Sequence, residues 1–118
     1  MTVYIAGPMK HKPFFNFPAF DRARDALLHA GHVPISPADM DRAVGFDETK
    51  YPAGCDTVPA DFDLSAAMDR DIDAVRRCDA VLLIEGWLYS KGARAERALA
   101  EWCGKEIWYD IKPKGLTL

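Results

Sequence analysis

Apolar residues fall in short unbroken runs, and longer amphipathic stretches lie between them. The run "TVYIA" stops at Gly7-Pro8 and predicts a buried strand ended by a turn. From Asn16 to Ala30, the residues Phe20, Ala23, Leu27 and Ala30 recur at helical spacing, and Gly31 follows as a stop. "HVPI" predicts a second short strand, which Pro34 assigns to a sheet edge because proline cannot donate to a ladder. Residues 36 to 64 carry Pro37, Gly45, Pro52, Gly54 and Pro59 without sustained periodicity, so a long loop or several short turns is expected, the kind of segment that often forms a functional lid.

Ser65 is expected to cap a helix running to about Arg77, with Met68, Ile72 and Val75 as its core face. "CDAVLLIEG" then predicts a central strand, since a continuous apolar run suits a sheet buried on both faces. A third helix is expected over residues 92 to 103, with Ala95, Ala98, Leu99 and Trp102 inward and Glu101 outward. Gly104 stops it, and "EIWY" is the last strand.

Strands alternating with helices imply a single α/β domain over residues 1–118. The expected form is a three-layer sandwich, flavodoxin- or Rossmann-like, with a parallel four- to five-stranded sheet and helices on both faces. In such sheets ligands bind beyond the carboxyl ends of the strands. The loops after Ala6, Ile35 and Ile84 are therefore expected to share one rim.

Charge and composition narrow the partners. A formal net charge of −3 with 28% charged residues gives no electrostatic attraction to duplex nucleic acid or to an anionic membrane. The longest apolar run is far short of the ~20 residues that cross a bilayer. Cys55, Cys78 and Cys103 form no CxxC pair, and their odd number suggests a reducing, cytoplasmic setting. His11, His29 and His32 lack ligand spacing, while Asp69, Asp71 and Asp73 alternate within a helical register, so neither a metal nor another cofactor is expected.

Two carboxylates have positions that suggest chemistry. At ~100° per residue, Asp71 lies about 70° from the centre of the Met68-Ile72-Val75 face and is the most inward acid of its helix. The competing reading is a boundary residue bonded to a neighbouring backbone. Glu96 emerges beside the strand tip in the first turns of the helix after Gly92, where the helix dipole favours an anion suited to nucleophilic attack. Plain dipole compensation explains it equally well. Trp87, Tyr89, Phe14 and Phe15 fall in the rim loops and can either stack on a base or pack in the core. Lys10, His11 and Lys12 would suit an anionic group there, or form an ordinary solvated turn.

Taken together, "VYIAGPM", "MDRDIDAVRRCDAVLLIEGW" and "SKGARAERALAEWCGKEI" resemble the nucleoside 2-deoxyribosyltransferase superfamily, in particular its small phage and bacterial members. The resemblance implies that Glu96, closing the stretch Gly92-Ala-Arg-Ala-Glu96, is a nucleophile, that Tyr4 holds its carboxylate, and that Asp71 is the partnering acid. It implies substrate contacts from Gly7, Pro8, Met9, Trp87, Ser90 and Gly92. Six residues before the glutamate, transferases acting on free nucleosides carry aspartate, whereas nucleoside 5′-monophosphate N-glycosidases carry serine; here the residue is Ser90. A neutral hydroxyl tolerates a phosphate dianion that a carboxylate would repel. The first loop, "GPMKHKPFFNF", departs from the glycine- and arginine-rich loop of those hydrolases. The implied activity is hydrolysis of a (deoxy)nucleoside 5′-monophosphate to free base and sugar phosphate, without a cofactor. The alternatives are deoxyribosyl transfer and a non-catalytic nucleotide-binding or sensing module. The resemblance also implies a homodimer or larger assembly, for which Trp102, Trp108 and Tyr109 are candidate interface aromatics.

Overall fold

A computed structural model of the chain describes residues 1–55 and 57–110. Its core is a four-stranded parallel sheet in the order β2-β1-β3-β4, formed by β1 (Thr2–Ala6), β2 (Val33–Ile35), β3 (Ala80–Leu83) and β4 (Glu106–Tyr109). Tyr4 of β1 is in register with Ile35 on one side and Val81 on the other. As its proline predicts, β2 is an edge strand, and β3 is buried along its whole length.

Side-chain alternation divides the core into two layers. Val3, Ile5, Leu82 and Ile84 pack against Phe17, Phe20 and Leu27 of α1 (Phe17–His29). On the other face, Tyr4, Ala6, Val81 and Leu83 meet Ala74 and Val75 of α3 (Leu64–Arg77) and Ala93 and Ala100 of α4 (Lys91–Trp102). The result is the expected three-layer α/β sandwich, with four strands.

Several local expectations are corrected. The segment from residue 36 is not all loop: Pro37–Ala43 forms a short helix, α2, followed by a single 3-10 turn at Glu48–Lys50. The start of α3 is capped by Asp63, whose carboxylate accepts the Ala66 amide at 3.0 Å, and not by Ser65. The buried stripe of α3 is Ala67, Ala74, Val75 and Cys78, while Met68 and Ile72 are exposed. In α4 the fully buried positions are Ala93 and Ala100; Ala95, Ala98 and Trp102 face outward. Of the proposed interface aromatics, Trp102 is 86% exposed, but Trp108 packs against the first core layer and Tyr109 against the second.

Where β1 ends, a side chain at position 7 would overlap the Ile84 side chain, so only glycine lets the first loop leave the sheet beside the tip of β3. That loop is tied across the rim by the His11 amide donating to the Cys55 carbonyl at 3.2 Å and the Phe14 amide donating to the Tyr51 carbonyl at 3.0 Å.

Candidate active site

The loops after β1, β2 and β3 do share one rim, where they enclose a cavity of about 770 Å³. That volume falls within the range of small-molecule sites. Its walls are mainly apolar, drawn from Phe15 and Phe20 near α1, Phe46 and Phe62 of the central segment, and Met68 and Leu99 of α3 and α4. Tyr4, Asp41, Asp71 and Glu96 interrupt the apolar lining with groups that can hydrogen-bond and titrate.

Strand alternation turns Tyr4 away from α1 and towards α4, where its hydroxyl donates to Glu96 Oε2 at 2.5 Å. Tyr4 is wholly buried, and burial together with the nearby Glu96 and Asp71 charges raises its phenol well above the usual value, so it stays a proton donor. Burial likewise pushes Glu96 up to about 8; the Tyr4 hydrogen bond opposes this and Asp71 adds to it. The expectation that the helix dipole holds Glu96 ionised is therefore corrected. Glu96 lies in the second turn of α4, beyond the short reach of the terminal dipole, and desolvation dominates.

Asp71 continues the buried stripe of α3, one helical step from both Ala67 and Ala74. Burial raises it to about 7, with Asp41 adding repulsion and Arg70 opposing it. The Tyr4 phenol has a single proton, which lies with Glu96, and Asp71 Oδ1 is buried without a hydrogen-bond partner. Two carboxyls with raised pKa values around one buried phenol can share a proton at neutral pH, leaving one as an acid and the other as a base or nucleophile.

The other sequence candidates divide. Gly7, Pro8, Met9, Ser90 and Gly92 line the cavity. Ser90 is also the N-cap of α4, its Oγ accepting the Ala93 amide at 3.1 Å. Tyr89 and Phe15 line the cavity as well, Phe15 as a buried wall residue, while Lys10 and His11 stand on the opposite rim from α4. Trp87 is not among the lining residues. It packs instead on Tyr109, ring centroids 5.8 Å apart, beneath the Arg97 guanidinium.

Sequence reasoning missed Asp41 and Arg70. Asp41, on α2, is 8% exposed and lines the cavity. Arg70 Nη2 lies 3.6 Å from its Oδ1. Burial raises Asp41 to about 6, with Arg70 opposing the rise. A signal for α2 was present: Ser36-Pro37-Ala38-Asp39 has the cap residue, first-turn proline and first-turn acid of a helix start.

Among the described residues, no group of three or more His, Cys, Asp or Glu side chains is arranged to hold a metal, and no helix is long and apolar enough to cross a membrane.

A parallel three-layer domain with this cavity at its strand tips has the fold of the 2-deoxyribosyltransferases. A 2-deoxyribosyltransferase from the psychrotolerant bacterium Bacillus psychrosaccharolyticus matches it with a TM-score of 0.69 at 17% identity, over 100% of this chain and 77% of that one. The corresponding enzyme of Leishmania mexicana matches at 0.61 and 21% identity, over 92% of this chain and 62% of that one. A CMP N-glycosidase of Clostridium botulinum matches at 0.55 and 18% identity, over 92% and 70%. The chain belongs to the family described as "Domain of unknown function (DUF4406)", which matches residues 1–109. No curated protein matches the sequence.

Proposed function

We propose that this protein cleaves the N-glycosidic bond of a (deoxy)nucleoside 5′-monophosphate, with Glu96 as nucleophile and Asp71 as acid. The observation that carries this reading is the Tyr4–Glu96 hydrogen bond at 2.5 Å, made beside Asp71 inside an apolar cavity. A site that only bound a nucleotide would gain nothing from enclosing two acids around a buried phenol.

In the proposed reaction one proton is shared by the acid pair and resides on Asp71. The Glu96 carboxylate attacks C1′ as the C1′–N bond breaks, through an oxocarbenium-like state. The bonding electrons leave with the base, which takes its proton from Asp71. Water then attacks C1′ of the glycosyl ester, Asp71 accepts the water's proton, and Glu96 departs as carboxylate with release of the sugar phosphate. Tyr4 donates to whichever Glu96 oxygen is not bonded to carbon.

The phosphate is assigned to the start of α4. Ser90, Lys91, Gly92 and Ala93 line the cavity there, and first-turn amides at a helix N-terminus suit an anion. Lys10 adds positive charge from the facing rim. The CMP N-glycosidase and the deoxyribosyltransferases sharing the fold act on related bonds, which supports the reaction class.

The test is incubation with a panel of ribo- and deoxyribonucleoside 5′-monophosphates, with free base followed by chromatography. Base release that disappears in Glu96→Gln is expected. If no nucleotide yields base, and no base exchange occurs when a second base is added, the proposal fails.

A further inference from the structure

We infer that Asp41 is a specificity-determining residue that selects bases carrying an exocyclic amino group, such as adenine or cytosine, over their keto counterparts. The inference rests on the reading of the cavity as a nucleotide site and adds the class of base.

Three carboxyl-bearing residues reach the cavity from three different helices, Asp41 from α2, Asp71 from α3 and Glu96 from α4. Their mutual influence orders them. Glu96 is hydrogen-bonded to Tyr4 and senses Asp71; Asp71 senses Asp41; Tyr4 feels Glu96 most, then Asp71, then Asp41. Asp41 is thus farthest from the nucleophile. If Glu96 faces C1′ and Asp71 the glycosidic nitrogen, Asp41 meets the far edge of the base.

What that edge must offer follows from the chemistry of Asp41. It is more than nine-tenths buried, and its only ion-pair partner among the described residues is Arg70 at 3.6 Å. The paired guanidinium favours the ionised form, and an ionised carboxylate only accepts hydrogen bonds. An amino group donates to it. A keto oxygen would face it acceptor to acceptor, in a cavity whose lining includes no Asn or Gln amide to donate instead. Asp71 cannot relieve the mismatch, because its proton is committed to the leaving nitrogen.

The test compares nucleotides that differ only in this group, dCMP with dUMP and dAMP with dIMP, in two assays. Equilibrium binding is measured by calorimetry on Glu96→Gln, which separates recognition from chemistry, and base release is measured on the wild-type protein. The amino member of each pair is expected to bind at least about tenfold more tightly, in line with the cost of leaving a buried acceptor unpaired. Asp41→Asn, whose amide can turn either a donor or an acceptor to the base, is expected to narrow both ratios; since each ratio is internal to one variant, partial unfolding cancels. Amino selectivity in binding without any base release would sink the proposed reaction and leave this inference standing. Base release with equal or keto-favouring ratios would overturn the inference and leave the reaction standing. Failure to bind any of the four nucleotides would overturn it too.

Discussion

Tyr4 on β1 and Glu96 on α4 are joined across the sheet–helix interface by a 2.5 Å hydrogen bond from phenol to carboxylate. It is the one printed hydrogen bond to Glu96 among the described residues, and it counteracts the burial that would otherwise keep the acid protonated. Replacing Tyr4 with Phe removes the proton and little else. A hydrogen bond to a charged group contributes about 1.5–3 kcal/mol, so turnover is expected to fall roughly tenfold to a hundredfold. The pH at which activity first appears should also move upward, because Glu96 loses the partner that lowers its pKa. A pH–rate profile of Tyr4→Phe that overlays the wild type would contradict this role.

Stability should fall as the solution becomes alkaline. Asp41, Asp71 and Glu96 have folded-state values of about 6, 7 and 8, all above ordinary carboxylate values, chiefly through burial. Groups raised in this way favour folding while protonated; that contribution is complete below their unfolded values near pH 4 and is lost as pH rises through 6 to 8. The urea midpoint is expected to drop between pH 5 and pH 9. Glu96→Gln should flatten the upper part of this dependence, near pH 8. A midpoint that rises over the range would show that these acids are not buried as described.

Ser90 allows charge to be separated from stability. Aspartate is also a good N-cap, so Ser90→Asp should keep the bond to the Ala93 amide and leave the melting temperature nearly unchanged. It would nonetheless set a negative charge against the phosphate. Affinity for a nucleoside 5′-monophosphate is expected to fall by on the order of tenfold to a hundredfold, while affinity for the free nucleoside changes little. Calorimetric titration with both ligands provides the check, and equal losses would remove the phosphate from this end of the cavity.

Assembly is predicted from an apolar strip. Leu64, Met68 and Ile72 stand exposed along one side of α3 at the cavity mouth, a surface that a second copy of the chain would cover. Sedimentation at micromolar concentration should show a dimer or larger species, and Met68→Glu should shift it towards monomer. A monomeric wild type would dispose of this expectation.

Periodicity located the strands and the long helices, because each buries one continuous face against the sheet. It misjudged which face wherever a cavity intervenes. Met68 and Ile72 look like core positions because they are large and apolar, but they wall an open cavity, and the buried stripe beside them is built from Ala67, Ala74 and Val75 with Asp71 among them. In α4 the same inversion put Ala95 and Ala98 inward, although the sheet admits only Ala93 and Ala100 at its closest approach. The catalytic candidates Tyr4, Asp71 and Glu96 were legible from motif spacing, and the structure brings them together. Asp41 was not, because α2 is too short to show a period, and Arg70 looked like any charged residue on a solvated helix face.

That shortness of α2 has a consequence. A helix of seven residues has almost no stability of its own. This one is clamped from outside: Arg42 donates to Asp21 at 2.8 and 2.9 Å and to Glu48, and Arg24 donates to Asp39 at 2.8 Å, all at partly exposed positions. The carboxylate on its inner side is thus seated by charges that dissolved ions can reach, although the cavity itself shelters that carboxylate from solvent. Ionic strength becomes a dial on base discrimination, one that turns well before the fold responds.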